Sequence, residues 1–124
     1  MITKKKHSLL FICLGNICRS PAAEGVMKAK VHECGLDSEF FIDSAGIGDW
    51  HVGQLPDSRM RDRGARRGYR FDSHARQIRQ SDFDDFDLLL VMDKANYKAV
   101  TAQASSEEAR SKVRMLTDYL VEHS

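Results

Sequence analysis

The sequence has few of the residues that mark whole classes of protein. Its three cysteines, Cys13, Cys18 and Cys34, are an odd number, and none of their spacings follows the short paired pattern of a structural zinc site. No structural zinc site is therefore predicted, and a reducing cytoplasm is the simplest setting for the thiols. We expect no metal or organic cofactor. Only two prolines occur, Pro21 and Pro56.

Long apolar runs and an excess of one charge are also absent. The stretch from Leu9 to Leu14 follows three lysines, but it is too short for a signal-peptide core and no small-residue cleavage site comes after it. Lys and Arg total 19 against 18 for Asp and Glu, and the net charge of +1 indicates no polyanionic partner. We expect neither a membrane nor a nucleic acid as a partner, and 124 residues suit one domain.

Short apolar segments are spaced along the chain as buried strands would be. The run Leu9–Ile12 does not alternate with polar residues, which is typical of a strand covered on both faces of a parallel sheet. Strands and helices that alternate in this way predict an α/β fold. Further strands are expected at 40–42, 86–92 and 113–116, with aspartate-capped helices from Asp57 to about Gly68 and from Asp93 to Ala102.

The first helix has signals at both ends. Ser20 followed by Pro21 predicts an N-cap and a proline at the first helical position, and Gly35 predicts the end of the helix. Cys34 falls at helical spacing on the apolar face, and we interpret it as a core residue.

The segment between this strand and this helix carries the chemistry. Cys13 ends the strand, and Arg19 follows six residues later at the start of the helix. Such a loop points successive backbone N–H groups inward, and the helix dipole adds positive potential, so an anion can bind there. Arg19 can grip two phosphoryl oxygens, and the same field should stabilise a Cys13 thiolate. The predicted phosphate-binding residues are Leu14, Gly15, Asn16, Ile17, Cys18 and Arg19.

Three residues of the loop have features that suit it. Gly15 permits a close approach that a Cβ would obstruct, and Asn16 tolerates left-handed backbone geometry while its amide ties the loop to itself. Ser20 can donate a hydrogen bond to the thiolate.

Residues 11–21, with the sequence Phe-Ile-Cys-Leu-Gly-Asn-Ile-Cys-Arg-Ser-Pro, closely resemble the signature of the low-molecular-weight protein tyrosine phosphatases. The resemblance covers essentially the whole chain, because four ordered motifs agree. It implies a three-layer fold with a four-stranded parallel sheet flanked by helices. The later motifs are Ser-Ala-Gly at 44–46, Asp-Trp-His-Val-Gly at 49–53 with Pro-Asp-Ser-Arg at 56–59, and Val-Met-Asp at 91–93.

The resemblance implies a role for each matching residue. Cys13 would be the nucleophile that forms a phosphocysteine, and Arg19 would bind the phosphate and stabilise the charge of transfer. Asn16, Ser20 and Ser44 would hold the loop and tune the thiolate. The substrate would be phosphotyrosine in a protein, and free phosphate or sulfate would occupy the same loop.

Three more residues match family positions around the loop. Trp50 and His51 would line a crevice where a phenol ring can stack. Cys18 would form a reversible disulfide with Cys13, which protects the nucleophile from irreversible oxidation.

The chain departs from the family pattern toward its C-terminus. The family's general acid is the aspartate of an Asp-Pro motif followed by a final helix, and neither Pro21 nor Pro56 follows an aspartate. Asp118 precedes a tyrosine, and we do not assign it that role. We expect residues 1–124 to be a single phosphatase domain without the acid loop and final helix. It would be either part of a longer protein or a short enzyme that is catalytically weak.

Other functions remain open. A thioredoxin-coupled arsenate reductase would share the fold, but those enzymes use a further cysteine pair and residues 81–124 contain no cysteine. Protein arginine phosphatases look similar but prefer threonine where this chain has Ile17. A weakly active or non-catalytic phosphoryl-binding module is a further alternative, although such a binder has no need of a thiolate.

A dense basic run crosses the second predicted helix. It could suggest nucleic acid or an acidic protein partner, but a solvated helix face is the favoured interpretation. Its members are Arg59, Arg61, Arg63, Arg66, Arg67 and Arg70.

Overall fold

The computed structural model describes residues 6–17, 19–48 and 51–118, in which a parallel sheet lies between helices. None of the helices within these ranges is long and apolar enough to cross a membrane. In chain order the elements are β1 (His7–Cys13), α1 (Arg19–Glu33), β2 (Phe40–Gly46), α2 (Ser58–Arg66), α3 (Asp82–Asp85), β3 (Leu88–Val91), α4 (Lys94–Gln103), α5 (Glu107–Ser111) and β4 (Val113–Met115).

The four strands form one parallel sheet in the order β2-β1-β3-β4. This confirms the predicted fold class. Because β1 pairs with a strand on each side, Cys13 at its end is fixed opposite Gly46 of β2. The carboxyl ends of parallel strands share one edge of a sheet, which is where ligands bind in open α/β folds.

Strand β1 is buried on both faces, as its apolar run predicts. Leu10 and Ile12 pack into a cluster with Val100 of α4. On the opposite face, Leu9 and Phe11 pack against Val31 of α1. Helices therefore cover both sides of the sheet and make three layers.

Helix α1 begins two residues before Pro21, the predicted first helical position. Arg19 is already helical, so the prediction that Ser20 is the N-cap is wrong, and Ser20 is instead a buried residue of the first turn. The predicted end is confirmed, because Gly35 has a φ of 69° and its N–H donates to the carbonyl of His32 at 3.0 Å. Cys34 is exposed, so its interpretation as a core residue is also wrong.

The two aspartate caps are confirmed. The Asp57 carboxylate accepts from the N–H groups of Arg59 and Met60 at 3.0 and 3.3 Å, and Asp93 accepts from the N–H of Asn96 at 2.8 Å. The third and fourth strands are confirmed with shorter bounds than predicted, and β2 extends beyond its predicted end to Gly46.

The ring of Phe71 packs between α1 and α2. Phe71 is buried against Gly25 of α1 and Gly64 of α2, where an added Cβ would lie 2.4 and 2.3 Å from ring atoms. Two glycines on facing helices thus make room for the ring, and α2 is held close to the middle of α1.

Candidate active site

The phosphate loop, Cys13 to Arg19, connects β1 to α1 at the carboxyl edge of the sheet. Neighbouring segments hold three of its carbonyls. Those of Cys13 and Leu14 accept from the N–H groups of Ile47 and Gly48, each at 3.0 Å. The carbonyl of Ile17 accepts from the N–H of Asp57 at 2.7 Å, so the loop is fixed at both ends.

Glycines allow the loop to approach its neighbours. A Cβ at Gly46 would lie 3.0 Å from the carbonyl carbon of Gly15, and a Cβ at Gly15 would lie 2.9 Å from Cδ2 of His51. His51 therefore packs against the loop, where the family resemblance implies a crevice wall. Its Nδ1 lies 3.1 Å from Oε1 of Gln54, which orients the ring.

The Cys13 sulfur is buried and has two polar neighbours. Its Sγ lies 3.0 Å from the hydroxyl oxygen of Ser20 and accepts from the N–H of Asn16 at 3.3 Å. Both groups can donate a hydrogen bond to the sulfur.

The hydrogen bonds behind Ser20 run in one direction. The backbone N–H of Arg76 can only donate, and it donates to Oδ1 of Asn16 at 2.9 Å. The amide of Asn16 must then present Nδ2 to Ser20, to whose oxygen it donates at 2.8 Å. Because the Ser20 oxygen accepts this bond, its own O–H is free to donate to Cys13. This directed chain, Arg76–Asn16–Ser20–Cys13, orients the hydroxyl toward the sulfur.

The backbone of Asn16 also fits its position. It has a φ of 57°, and it is the one described non-glycine residue in the left-handed region. Asparagine tolerates this conformation better than most residues, as predicted. The conformation places its N–H on Cys13 and its side chain on Ser20 at the same time.

Ser44 of β2 takes part in a second buried contact. Its hydroxyl donates to the carboxylate of Glu24 on α1, which is 3% exposed. Lys28, one turn further along α1, pairs with the same carboxylate at 2.5 Å and provides its countercharge. The Ser44–Glu24 bond joins β2 to α1.

Arg19 is half-exposed and pairs with a carboxylate of the neighbouring helix. Its Nη1 lies 3.0 Å from Oδ2 of Asp93, and the side chains are 50% and 42% exposed. The N–H of Asn96 first, and the Arg19 guanidinium second, hold the pKa of Asp93 below its usual range. Among the described residues, Asp93 is the one ion-pair partner of the guanidinium, and its exposure allows it to be exchanged.

Arg76, in contrast, is fixed by two carboxylates. It donates to both oxygens of Asp82, at 3.0 and 3.1 Å, and to Asp43 at 3.1 Å. Burial, the largest single influence, lowers the pKa of Arg76, but the bonds and charges of Asp82 and Asp43 together raise it above its usual value. Because the Gly46 N–H also donates to the Arg76 carbonyl at 2.7 Å, this segment is bound to β2.

The structure brings together most of the predicted residues. Cys18 and Trp50 lie outside the described residues, so their phosphate-binding, redox and crevice roles stay predictions. Among hydrogen bonds between described residues, none uses the N–H of Leu14, Gly15 or Ile17 as its donor. These donors are available to an anion in the loop.

The site contains residues that the sequence analysis does not identify. Glu24 lies four residues after Ser20, so helical spacing places both on one face of α1 and could have indicated its burial. Arg76 gives little local signal, because Asp43 and Asn16 lie 33 and 60 positions away in the chain and only Asp82 is near it. In the described part of the chain, no group of three His, Cys, Asp or Glu side chains could hold a metal ion.

The sequence also matches a known family over nearly all its length. The profile of the family described as low molecular weight phosphotyrosine protein phosphatase matches residues 8–124. The chain belongs to this family. The resemblance inferred from the loop motif is therefore confirmed.

Individual low molecular weight phosphatases agree with this match. Over 111 residues the chain is 49% identical to slr0328 of Synechocystis sp., covering 90% of this chain and 71% of that protein. A crystal structure of a protein tyrosine phosphatase from Entamoeba histolytica, with Hepes in its active site, has a TM-score of 0.87 and 44% identity. That match covers 91% of this chain and 72% of the other. A crystal structure of a Drosophila arginine phosphatase has a TM-score of 0.85 and 32% identity, covering 91% and 73%.

Proposed function

We propose that this chain is a cysteine-dependent phosphatase that hydrolyses phosphotyrosine in proteins through a phosphocysteine intermediate. The observation that supports this most directly is the directed hydrogen-bond chain that ends on the Cys13 sulfur. A loop that only bound anions would not need to stabilise a thiolate. The proposal includes a single domain in a reducing compartment, because an oxidised Cys13 cannot act as a nucleophile.

Substrate binding begins with an exchange at Arg19. The phosphoryl group enters the loop, where the N–H groups of Leu14, Gly15 and Ile17 can donate to its oxygens. Arg19 releases Asp93 and grips two of these oxygens, since a guanidinium matches them bidentately. The exchange costs little, because an exposed ion pair contributes only about 0 to 1 kcal/mol.

The first chemical step transfers the phosphoryl group to sulfur. The Cys13 thiolate attacks phosphorus, an S–P bond forms, and the bond from phosphorus to the phenol oxygen breaks. Negative charge moves from sulfur to that phenolate oxygen, which then takes a proton. Arg19 and the loop N–H groups stabilise the charge on the equatorial oxygens during transfer.

The second step regenerates the enzyme. Water attacks the phosphorus of the phosphocysteine, gives up a proton, and the S–P bond breaks with its electron pair returning to sulfur. The Ser20 hydroxyl faces that sulfur at 3.0 Å, so it stabilises Cys13 as a leaving group here as well as a nucleophile before. Inorganic phosphate then leaves the loop.

The identity of the leaving group decides how fast the first step is. The 124 residues contain no Asp-Pro motif, and a positioned general acid typically contributes about 10² to 10⁴ in rate. A phenolate whose conjugate acid has a pKa near ~10 leaves poorly without one. We infer that this polypeptide hydrolyses para-nitrophenyl phosphate far faster than phenyl phosphate.

The test compares the 124-residue polypeptide with its Cys13→Ser variant on both esters. We expect Cys13-dependent turnover, a steep dependence on the leaving group, and a covalent phosphate on Cys13 after rapid acid quench and peptide mass spectrometry. Turnover that survives Cys13→Ser would overturn the proposal. Equal kcat/KM values for the two esters would contradict a first step without a general acid, because kcat/KM does not include hydrolysis of the shared phosphocysteine.

Phosphoarginine is the second candidate substrate, favoured by the similarity to the Drosophila arginine phosphatase. Ile17 argues against it, because an apolar side chain at the loop suits a phenyl ring better than a polar guanidinium. Peptides that differ only in phosphotyrosine or phosphoarginine separate the two. A higher kcat/KM for phosphoarginine would replace the first proposal.

A further inference from the structure

A groove of about 580 Å³ lies between α1 and α2, and the catalytic steps above do not use it. We call it the arginine groove. Its floor is apolar and is formed by Ala22 and Val26 of α1 with Met60, Tyr69 and Phe71. The Tyr69 and Phe71 rings stack at 6.1 Å with 10° between their planes, so the floor is flat and firmly packed.

Three arginines line the groove from α2 and its end. Arg59, Arg63 and Arg67 follow one another at intervals of four residues, which places them on one face of a helix. All three are exposed, and none has an ion-pair partner among the described residues. An ordinary solvated helix face does not place three unpaired positive charges beside an apolar surface.

Two other arginines of the same run behave differently. Arg66 pairs with Asp62 at 3.0 Å, and Arg70 pairs with Asp72 at 3.7 Å, both outside the groove. Local carboxylates thus balance these two arginines. Arg61, also outside the groove, has no ion-pair partner among the described residues, so three of the run's four unpaired arginines line the groove.

One carboxylate also lines the groove, but it is already occupied. Asp57 caps α2 by accepting from the N–H groups of Arg59 and Met60. It does not form an ion pair with any described arginine, and the groove as a whole keeps an excess of positive charge.

The arginine groove adjoins the phosphate loop. The N–H of Asp57, at one end of the groove, donates to the carbonyl of Ile17 in the loop at 2.7 Å. Ala22 and Val26 lie three and seven residues after Arg19, on the same face of α1. A chain bound with its phosphoryl group in the loop can therefore continue directly into the groove.

We infer that the arginine groove binds an acidic segment beside the phosphorylated residue of the protein substrate. This deepens the proposed function and rests on it. The helix from Asp57 to Arg67 spans about 15 Å, which matches roughly four or five residues of extended peptide. The segment would carry Asp or Glu side chains toward the arginines and an apolar side chain toward Tyr69.

Peptides and two matched triple variants test this inference. Three phosphotyrosine peptides of equal length are compared. The acidic peptide has a flank of Glu, Asp and Leu, and the neutral peptide has a flank of Gln, Asn and Leu. The basic peptide has a flank of Lys and Leu. The groove variant is Arg59→Gln, Arg63→Gln and Arg67→Gln. The control variant is Arg61→Gln, Arg66→Gln and Arg70→Gln, which removes the same charge from residues outside the groove.

The readout is the ratio of kcat/KM for the acidic peptide to kcat/KM for the neutral one, taken within each protein. We expect about a tenfold preference for the acidic peptide in the unmodified protein and in the control variant at low salt. The groove variant should bring the ratio to within about twofold of unity. Raising the salt from about 0.05 to 0.5 M should reduce the preference, because the contacts are exposed.

Several outcomes would overturn the inference. An unmodified protein that does not discriminate the peptides would do so, as would a control variant that loses as much preference as the groove variant. So would stronger inhibition by a single-stranded RNA oligomer than by an acidic peptide, which would indicate a nucleic acid as the occupant.

A binding measurement separates this inference from the proposed function. In the Cys13→Ser background, fluorescence anisotropy of the labelled acidic phosphopeptide reports binding without turnover. If the groove variant loses binding and the control variant does not, the inference about the groove is supported even if the unmodified protein hydrolyses no peptide. Equal binding by the two triple variants would overturn the inference about the groove even if hydrolysis is fast.

Discussion

Two arginines of the site, Arg19 in the phosphate loop and Arg76 beside it, differ in their surroundings. Arg76 is partly buried and is held by Asp43 and by both oxygens of Asp82, which is fully buried. Arg19 is half-exposed and has a single described partner, Asp93, which is itself 42% exposed.

The difference shows what each arginine can do. A guanidinium whose donors are spent on two fixed carboxylates cannot bind a ligand, and Arg76 instead positions the segment whose N–H holds Asn16. A guanidinium with one solvent-exposed partner can exchange it for a phosphoryl group at small cost. The Arg76 side is therefore structural, and the Arg19 side is available for catalysis.

Replacing Arg19 should have the largest effect on activity. Arg19→Lys keeps the charge but loses the two parallel donors, so we expect kcat for para-nitrophenyl phosphate to fall about 10² to 10³-fold. The thermal midpoint should hardly change, because the Arg19 pair is exposed. A loss of kcat below about tenfold would contradict the assignment of Arg19 to the transition state.

Replacing Arg76 should act on stability instead. Arg76→Met leaves the fully buried Asp82 without its bidentate partner, which should lower the free energy of unfolding by about 3 kcal/mol. Urea denaturation measures this, and kcat of the folded protein should fall far less than for Arg19→Lys. The double variant Arg76→Met with Asp82→Leu should recover part of the stability, because no buried charge remains. A double variant less stable than the single one would argue against a buried unpaired charge as the cause.

Changing one atom of Asn16 should reverse the direction of its hydrogen bond with Ser20. Asn16→Asp puts an oxygen where Nδ2 stood, so the Ser20 hydroxyl would donate to the new carboxylate instead of Cys13 and the thiolate would lose a bond. We expect kcat and the rate of Cys13 alkylation by iodoacetamide to fall about tenfold each. Ser20→Ala provides the control, because it should reduce both rates without adding a charge.

Releasing Arg19 from its partner should have the smallest effect. Asp93→Asn keeps the cap of α4 but removes the charge that competes with phosphate, so the phosphate inhibition constant should fall about two- to fivefold. Asp93 has a lowered pKa, so its charge is present at neutral pH and is lost as the pH falls through the lowered value. The two proteins should therefore differ at about pH 6 and converge in strong acid. A difference that persists unchanged there would exclude this carboxylate as the cause.

The sequence predicts the parts of the fold that depend on local signals. The apolar run of β1, the aspartates that cap α2 and α4, the glycine that ends α1 and the left-handed Asn16 all follow from short-range chemistry. The prediction of Ser20 as the N-cap of α1 is wrong because the Ser20 hydroxyl contacts the Cys13 sulfur instead, and only the folded loop provides that contact.

What the sequence does not predict depends on distant contacts. Strand β2 continues through Asp43 and Ser44, which local rules treat as the end of an apolar run, because each is paired by a residue remote in the chain. Arg76 is not identified for the same reason. The uncompensated charge of Arg59, Arg63 and Arg67 becomes visible only when the helix face and the groove are seen together.

The bond between Arg76 and Asn16 joins positions 60 residues apart, and it has a consequence for folding. Contacts of such long sequence separation form late, since the chain entropy of closing the intervening segment must be overcome first. The nascent polypeptide would therefore carry an unshaped loop and an unprotected thiol until the last stage of folding. Inorganic phosphate, which binds only the completed loop, should shift the equilibrium toward the native state and shorten the time for which Cys13 is open to oxidation.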